Sequence, residues 1–297
     1  MLPTLRQLQY LKLLAEHGSF SRAAEAAHVT QPTLSAGVQE LEKILGVPVV
    51  DRNRSGVILT AAGEEAVLRA GAVLAQTEDL VQAARGAGQP LSGRFRLGVI
   101  PTVAPFLLPR ALPALRRQFP KLKLFLREDL TSRLIAGLKA GALDAALIAL
   151  PYDVTGLDWA HVDDDELLAA FPANHPLTAS ARVSADNMQD EEMILLEDGH
   201  CLREHALAAC GLAPPKRSDE ESFAATSLPT LVQMVGSGLG VSFLPAMAVD
   251  AGLAKAAEVT VRPLDAAHPS REIVVAWRAG SSRAVEGRLL AEVLKAA

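Results

Sequence analysis

Two cysteines are all that the 297 residues contain. So few exclude the disulfide framework of a small secreted domain. No basic-then-apolar leader opens the chain, because Leu5, Arg6, Gln7, Leu8 and Gln9 already mix both characters,. No apolar run approaches the roughly 18–20 residues that a membrane span requires. An excess of positive charge is missing too. The formal net charge of -5 argues against coating nucleic acid by bulk charge, while a small domain can still bind DNA through local charge,. These absences lead to the expectation of a cytoplasmic protein that engages no membrane. Of what is present, 49% is hydrophobic and 21% charged, so the chain is globular rather than disordered,. Its length exceeds what one ordinary core needs, which predicts two domains.

Leu5, Leu8, Leu11 and Ala15 recur at helical spacing and stop at Gly18, which predicts a first helix,. Ser21 is a fitting N-cap for a short, alanine-rich second helix from Arg22 to Ala27,. His28-Val29-Thr30 then makes a tight turn, and Thr30 caps a third helix. In that helix Leu34, Val38, Leu41 and Leu45 fall at i, i+4, i+7 and i+11 before Gly46,. Near its start the other face carries Gln31, Thr33, Ser35 and Ala36, where Gln and Ser/Thr can pair with base edges or phosphates,. Two helices across a short turn, the second presenting such a face, form the geometry that enters a major groove. Val49 and Val50, the charged turn Asp51-Arg52-Asn53-Arg54-Ser55-Gly56, and Val57-Ile58-Leu59 read as a two-stranded wing. It would carry two arginines to the DNA backbone. From pattern alone, a small helical cap on an enzyme remains an alternative.

From Thr30 to Glu64 the wording is more specific. Gln31-Pro32-Thr33-Leu34-Ser35, Leu41-Glu42, Leu45-Gly46-Val47 and Leu59-Thr60-Ala61-Ala62-Gly63 stand in the order of the LysR-type regulators. The segment resembles that family's signature, and the likeness continues over nearly the whole chain. The resemblance implies a DNA-binding transcription factor rather than an enzyme. It would meet a double-stranded promoter operator through Gln31, Pro32, Thr33 and Ser35, and would work with RNA polymerase. One departure bears on contacts: no Lys or Arg lies between Gln31 and Glu42, where family members often carry one. Phosphate contacts then fall largely to Arg22, Lys43, Arg52 and Arg54.

No proline occurs from Ala61 to Ala87, and Val67, Leu74 and Val81 recur every seven residues. Ala70, Gly71, Thr77 and Glu78 fill the intermediate positions. A helix of this length spans roughly 40 Å, and a lone seam of that width calls for a partner helix. Packing against its own domain is the alternative; the family resemblance favours a second copy, as a dimer or a homotetramer. Gly86-Ala87-Gly88-Gln89-Pro90-Leu91-Ser92-Gly93 reads as a hinge,.

Beyond it, strand-like and helical stretches alternate: Phe95 to Ile100, Pro105 to Phe119, Leu122 to Leu126, Leu134 to Ala140 and Ala145 to Leu150. That order predicts a mostly parallel sheet. A second α/β stretch runs from Glu166 to about Leu264, and Arg271 to Trp277 and Ser282 to Lys295 supply a last strand and helix. The predicted architecture is α/β with an N-terminal all-α winged helix-turn-helix. By resemblance, the sensor domain is of the periplasmic-binding-protein type with two α/β subdomains and a cleft. The expected boundaries are 1–60 for the DNA-binding domain, 61–87 for the linker helix, 88–93 for the hinge and 94–297 for the sensor. Its first subdomain would take about 94–164 and 267–297, and its second about 165–266. Ligands in such sheets sit beyond the carboxyl ends of strands, near helix N-termini. Thr102 and Thr131 fall at such junctions, where plain turn or cap roles are equally open.

The most informative stretch of this domain runs from Glu197 to Gly211. Gly199 closes a turn, Gly211 is a helix stop, and Cys201 to Cys210 reads as a short helix,. Cys201 would sit in the first turn, where the helix dipole favours a thiolate and protonated His200 and Arg203 would add to it. A thiolate is the species that attacks peroxide. Nine helical residues rise ~13.5 Å, with the sulfurs on opposite faces, whereas a disulfide needs Cα atoms ~4.4–6.8 Å apart. A bond between the two would therefore require the helix to unwind, which is the behaviour of a switch. Two unrelated buried cysteines remain an alternative. So does a metal site, since Cys201 and His205 are i, i+4 neighbours with His200 and Cys210 nearby, although a continuous helix disperses them and no CxxC occurs.

Ile100-Pro101-Thr102-Val103-Ala104-Pro105, Leu195 through Arg203, and Ala225-Thr226-Ser227-Leu228 resemble the hydrogen-peroxide-sensing branch of the LysR family, as does the cysteine interval. The resemblance implies that Cys201 is the peroxidatic residue and Cys210 the resolving one. Thr102, Thr131 and His200 would line the peroxide and its water, with Arg203 beside them, and neither cofactor nor metal is called for. His205 lies outside that pattern, and the proline-bearing stretch from Gly211 to Ser222 departs from it. Two rivals stay open: a small organic effector in the same cleft with inert cysteines, and a thiol peroxidase, against which the Gln31 to Leu45 helix argues. Gly236-Ser237-Gly238-Leu239-Gly240 is glycine-rich but follows a helix, a weak phosphate signal.

Overall fold

A computed structural model describes residues 1–53, 56–84, 89–189, 191–209, 224–265 and 269–296. It divides into two compact units, Met1–Gly88 with Ala136–Leu143, and Gln89–Ile135 with Asp144–Ala297.

The first unit opens with α1 (Leu5–His17), whose N-cap Thr4 and Gln7 satisfy each other's backbone groups in a capping box, and which ends at Gly18 with φ 60°,. Helix α2 (Phe20–Ala26) begins two residues before the predicted Arg22. Phe20 packs against the helical core, and that contact draws it into the first turn, leaving Ser19 rather than Ser21 at the cap. Helix α3 (Gln31–Leu45) is capped by Thr30, whose side chain accepts from the Thr33 amide, and closes at Gly46 with φ 73°. Leu34, Val38 and Leu41 are fully buried with Leu11 and Leu14, while Leu45, expected on the same stripe, is exposed at the helix end. Strands β1 (Val50–Asn53) and β2 (Gly56–Leu59) pair antiparallel from Val50↔Leu59 to Asn53↔Gly56, giving the predicted wing.

Thr60 then caps the long helix α4 (Ala61–Ala84) by accepting from the Gly63 amide at 3.0 Å, while its hydroxyl donates to the Pro48 carbonyl at 2.8 Å. A Cβ on Gly63 would lie 2.0 Å from the Val49 carbonyl oxygen, so the helix can seat against the wing only with glycine there. The 24 residues of α4 span about 36 Å,. Its heptad seam divides: Val67 packs against the helix-turn-helix core and Leu74 is buried, whereas Leu80 and Val81 are exposed.

The second unit is built on one main sheet, and the helix that follows its second strand belongs to it only as far as Ile135. Strands β3 (Gly93–Val99), β4 (Leu122–Glu128) and β5 (Ala145–Leu150) alternate with α5 (Ala104–Gln118) and α6 (Thr131–Lys139). There follow β6 (Leu157–Pro172), β7 (Val183–Ser184), α7 (Ala185–Gln189), β8 (Leu195–Leu196), α8 (Cys201–Ala209) and β9 (Ala224–Ala225). Next come α9 (Leu228–Gly236), β10 (Ser242–Pro245), α10 (Ala246–Asp250), α11 (Leu253–Ala256) and β11 (Val259–Asp265), and β12 (Ser270–Arg278) and α12 (Ala284–Lys295) close the fold. The strand order is β4-β3-β5-β12-β6-β11-β7, with β10 also on β6.

The βαβαβ stretch is parallel as expected, but most of the strand pairings that complete the sheet are not. β3 runs parallel to β4 and β5, but β12 is antiparallel to both β5 and β6, and β10 and β11 are antiparallel to β6. The cause is topological. β6 carries the chain from one α/β subdomain into the other and β12 brings it back, so the two must run in opposite directions. The first half of β6 pairs with β12 and the second half with β10 and β11. Phe171, Val232, Phe243, Leu202 and Ala206 belong to the core of the second subdomain. No helix among the described residues is long and apolar enough to cross a membrane.

Candidate functional site

Cys201 is the first residue of α8 and is only 4% exposed. Helix α8 turns its Cys201, Leu202, His205, Ala206 and Leu207 inward, and Leu202 and Ala206 enter the apolar core. The turn before it is set by Gly199, φ 97°, where a Cβ would come within 3.1 Å of Leu130. The start of α8 therefore lies against the start of α6, where Thr131 is 1% exposed and its hydroxyl has no hydrogen-bond partner among the described residues. A buried hydroxyl in that condition costs about 1–3 kcal/mol unless a further molecule meets it. Tyr152, after β5, hydrogen-bonds Ser132; burial, and then the charges of Glu204 and Cys201, push its hydroxyl above its ordinary value. The beginnings of α6 and α8 and the turn after β5 thus lie close together, with Cys201 at the start of α8.

Thr102 enters from the end of β3, 2% exposed, and is held by a residue absent from the predicted set. Arg271, fully buried on β12, donates from Nη1 to Thr102 Oγ1 at 2.8 Å and from Nη2 to the Thr102 carbonyl at 3.1 Å. Its Nε and Nη2 also donate to Asp165 Oδ2 at 3.0 and 2.9 Å, and Asp165 Oδ1 accepts from the Met247 amide at 3.0 Å. Burial pushes the Asp165 carboxyl up from its ordinary value, and Arg271 pulls it back. Because Arg271 occupies the Thr102 oxygen as a donor, the hydroxyl proton of Thr102 is left for another acceptor. The one sequence signal for this pair is an arginine opening an apolar strand; Asp165 itself is hidden in the run Asp163 to Glu166 of β6, the strand shared by both subdomains.

Two expectations about charge are corrected. Burial lowers the His200 pKa from its ordinary 6.5, with Glu197 opposing, so the ring is neutral at pH 7 and adds no positive charge beside Cys201. Arg203 points elsewhere: Nη1 donates to the Leu196 carbonyl at 3.1 Å and Nε pairs with Asp198 at 3.3 Å. It braces the turn before α8. Cys210 lies outside the described residues, as does Arg54, and nothing is described of the Arg52 side chain. Helix α8 still constrains the pair. From Cys201 to Ala209 it rises about 12 Å, and one further peptide step spans about 3.8 Å. At least ~8 Å remains, beyond disulfide reach while α8 is intact.

Gln31, Pro32 and Thr33 are exposed at the start of α3 and Ser35 is half-buried; Arg22 is exposed on α2. Lys43, at the other end of α3, pairs with Glu40 at 3.2 Å, a solvated contact of little strength,. Among the described residues no group of three or more His, Cys, Asp or Glu is placed to hold a metal. The glycines after α9 serve packing: a Cβ on Gly240 would sit 2.4 Å from the Glu192 carbonyl.

Residues 5–64 match the bacterial regulatory helix-turn-helix model of the lysR family, and residues 88–297 match the LysR substrate-binding domain. The chain is 39% identical over 295 residues to the HTH-type transcriptional regulator EstR of Acinetobacter baylyi, covering 99% of this chain and 97% of that one. It is likewise 39% identical over 293 residues to the DNA-binding transcriptional dual regulator OxyR of Escherichia coli, covering 98% and 95%. Among solved structures, a full-length OxyR variant from Pseudomonas aeruginosa superposes with a TM-score of 0.81 at 37% identity, over 99% of this chain and 98% of the other. A hydrogen-peroxide-bound mutant of Corynebacterium glutamicum OxyR gives 0.66 at 31% identity, over 100% and 92%. The chain belongs to the LysR family of bacterial transcriptional regulators.

Proposed function

We propose that this regulator senses hydrogen peroxide through Cys201 and Cys210 and passes the change to promoter DNA. The observation that carries this reading is a buried cysteine at the first position of α8, whose preceding turn packs on Leu130 next to the unsatisfied Thr131 hydroxyl. Thr102, by the resemblance a further member of the pocket, is held by Arg271 with its hydroxyl proton available. A buried hydroxyl still lacking a partner, and another with a proton to give, suit a small molecule that both donates and accepts. In the reaction the Cys201 thiolate attacks one peroxide oxygen and the O–O bond breaks. The departing hydroxide takes up a proton as water, leaving a sulfenic acid. The Cys210 thiolate then attacks the sulfenic sulfur, the S–O bond breaks, and the departing hydroxide takes up a proton from solvent to leave as a second water as the disulfide forms. His200 lines the pocket as a neutral ring.

Gln31, Pro32, Thr33 and Ser35 would meet the major groove, while Arg22, Lys43, Arg52 and Arg54 would take phosphates. The exposed Leu80 and Val81 of α4 favour pairing with a second copy. The functional division into 1–60, 61–87 and 94–297, contact with RNA polymerase and a cytoplasmic location complete the reading. A second reading, a small organic effector with inert cysteines, is kept because the 39%-identical EstR is described simply as a transcriptional regulator. Mass mapping of the reduced protein after stoichiometric peroxide separates them. A Cys201–Cys210 disulfide within seconds supports the sensor, and two free thiols refute it. The organic-effector reading requires Cys201→Ser to leave the DNA response intact.

A further inference from the structure

His205 belongs to no part of the peroxide pocket described so far, yet it is 6% exposed on the same face of α8 as Cys201, one turn on,. Its Nε2 lies 2.9 Å from the Pro151 carbonyl. A carbonyl only accepts, so Nε2 carries the proton and Nδ1 is a bare lone pair, buried and without a partner among the described residues,. The bond joins α8 to the turn between β5 and β6, just before β6 carries the chain from one subdomain to the other. It is also a long-range tie, 54 residues apart in sequence.

We propose that His205 is a positioning residue for Cys201, a latch whose bond to the Pro151 carbonyl holds α8 wound and so sets how fast the oxidised sulfur can leave to meet Cys210. The proposal rests on the peroxide reading above. Helix α8 must open before Cys210 comes within bonding distance, and opening it breaks this bond. The latch thus acts on disulfide closure, after the peroxide step. The ring also makes closure depend on pH. Around it stand Glu204 and Cys201 on α8, Arg271 on β12 with Asp165 of β6 behind it, and Tyr152 beside Pro151. Burial holds the ring below its ordinary 6.5 and Arg271 adds to this, against the Pro151 bond and Glu204. Protonation therefore disfavours the wound helix, where the ring is buried, relative to the open one, where it is solvated. Closure gains as pH falls through and below 6.5.

The test uses the full-length reduced protein, hydrogen peroxide, rapid quenching and mass spectrometry that resolves Cys201 sulfenic acid from the disulfide. Three proteins are compared from pH 8 to 5.5: wild type, His205→Leu and His205→Gln, the last keeping a donor but unable to protonate. The latch predicts sulfenic acid formation within about twofold of wild type in both variants. It also predicts closure about 2- to 10-fold faster in His205→Leu, the effect of one neutral hydrogen bond, and little change in His205→Gln at pH 8. The wild-type to Gln closure ratio, in which the titration of Cys210 cancels, should rise as pH falls. A flat ratio with equal closure rates overturns the proposal, as does equal slowing of both steps in His205→Leu. Should His205→Leu not fold, the Gln ratio decides alone. Wild type forming neither product would sink the peroxide reading, and the latch with it; a wild type that closes while the variants behave identically to it sinks the latch alone.

Discussion

The Arg271–Asp165 pair shows how a single buried charge organises the site. The Arg271 side chain is 0% exposed and that of Asp165 1%, and between them they fix Thr102, the Met247 amide and the junction of β6 with β12. Such a pair adds little net stability against an apolar replacement, but breaking it strands a charge. Arg271→Met should therefore cost about 3–5 kcal/mol in the unfolding transition of the sensor region, read by urea titration. Adding Asp165→Asn should restore part of that loss, because an amide oxygen still accepts from the Met247 amide while no charge is left behind. An unchanged midpoint in the single variant would show that the carboxyl is neutral in the folded chain. This pair was not assigned to the site from sequence, for it is made by residues 106 positions apart. Cys201, Thr102 and Thr131 were legible because each sits at the first turn of a helix or the end of a strand, where local pattern speaks. The charges of His200 and Arg203 were misread for the opposite reason: protonation and direction depend on burial and on Asp198, which spacing does not reveal.

At the scale of elements, local rules carried far in the DNA-binding region. The αL glycines at Gly18 and Gly46, the Thr30 cap and the Leu34, Val38 and Leu41 stripe of α3 are all set by neighbours within a few residues. What escaped was set from further away: the early start of α2, drawn in by Phe20, and the antiparallel strands, which follow from the chain returning through β12. The seat of α4 on the wing lies between these cases. Thr60 caps the helix while Gly63 lets the Val49 carbonyl approach, and Glu42 Oε1 accepts from the Val49 and Val50 amides at 2.9 and 3.3 Å. Gly63→Ala should force backbone apart at this joint and cost about 1–3 kcal/mol by the usual scale of overpacking. The thermal midpoint of the DNA-binding region should fall, and affinity for a fixed operator should fall with it. A variant of wild-type stability would mean that α4 shifts along the wing at no cost.

On the scale of the whole molecule, the decisive quantity is the mismatch between an intact α8 and the reach of a disulfide. Cys201 and Cys210 cannot join while α8 is intact, so its end must unwind, and unwinding that reaches Ala206 gives up that residue's contacts in the second-subdomain core. Any apolar surface exposed in that unwinding costs free energy, which the reduction of peroxide to water can supply. Hydrogen exchange on reduced and oxidised full-length protein should show this directly. Amides over the last turns of α8, well protected when reduced, should lose protection by at least tenfold after peroxide, while those of β3 and β5 in the neighbouring core stay as they were. Cys201→Ser should hold the reduced pattern at any peroxide concentration that leaves methionines intact, and should freeze the DNA footprint in its reduced form. Protection of α8 that survives a mapped Cys201–Cys210 bond would contradict the helix geometry, and would move the search for the transmitting element away from α8.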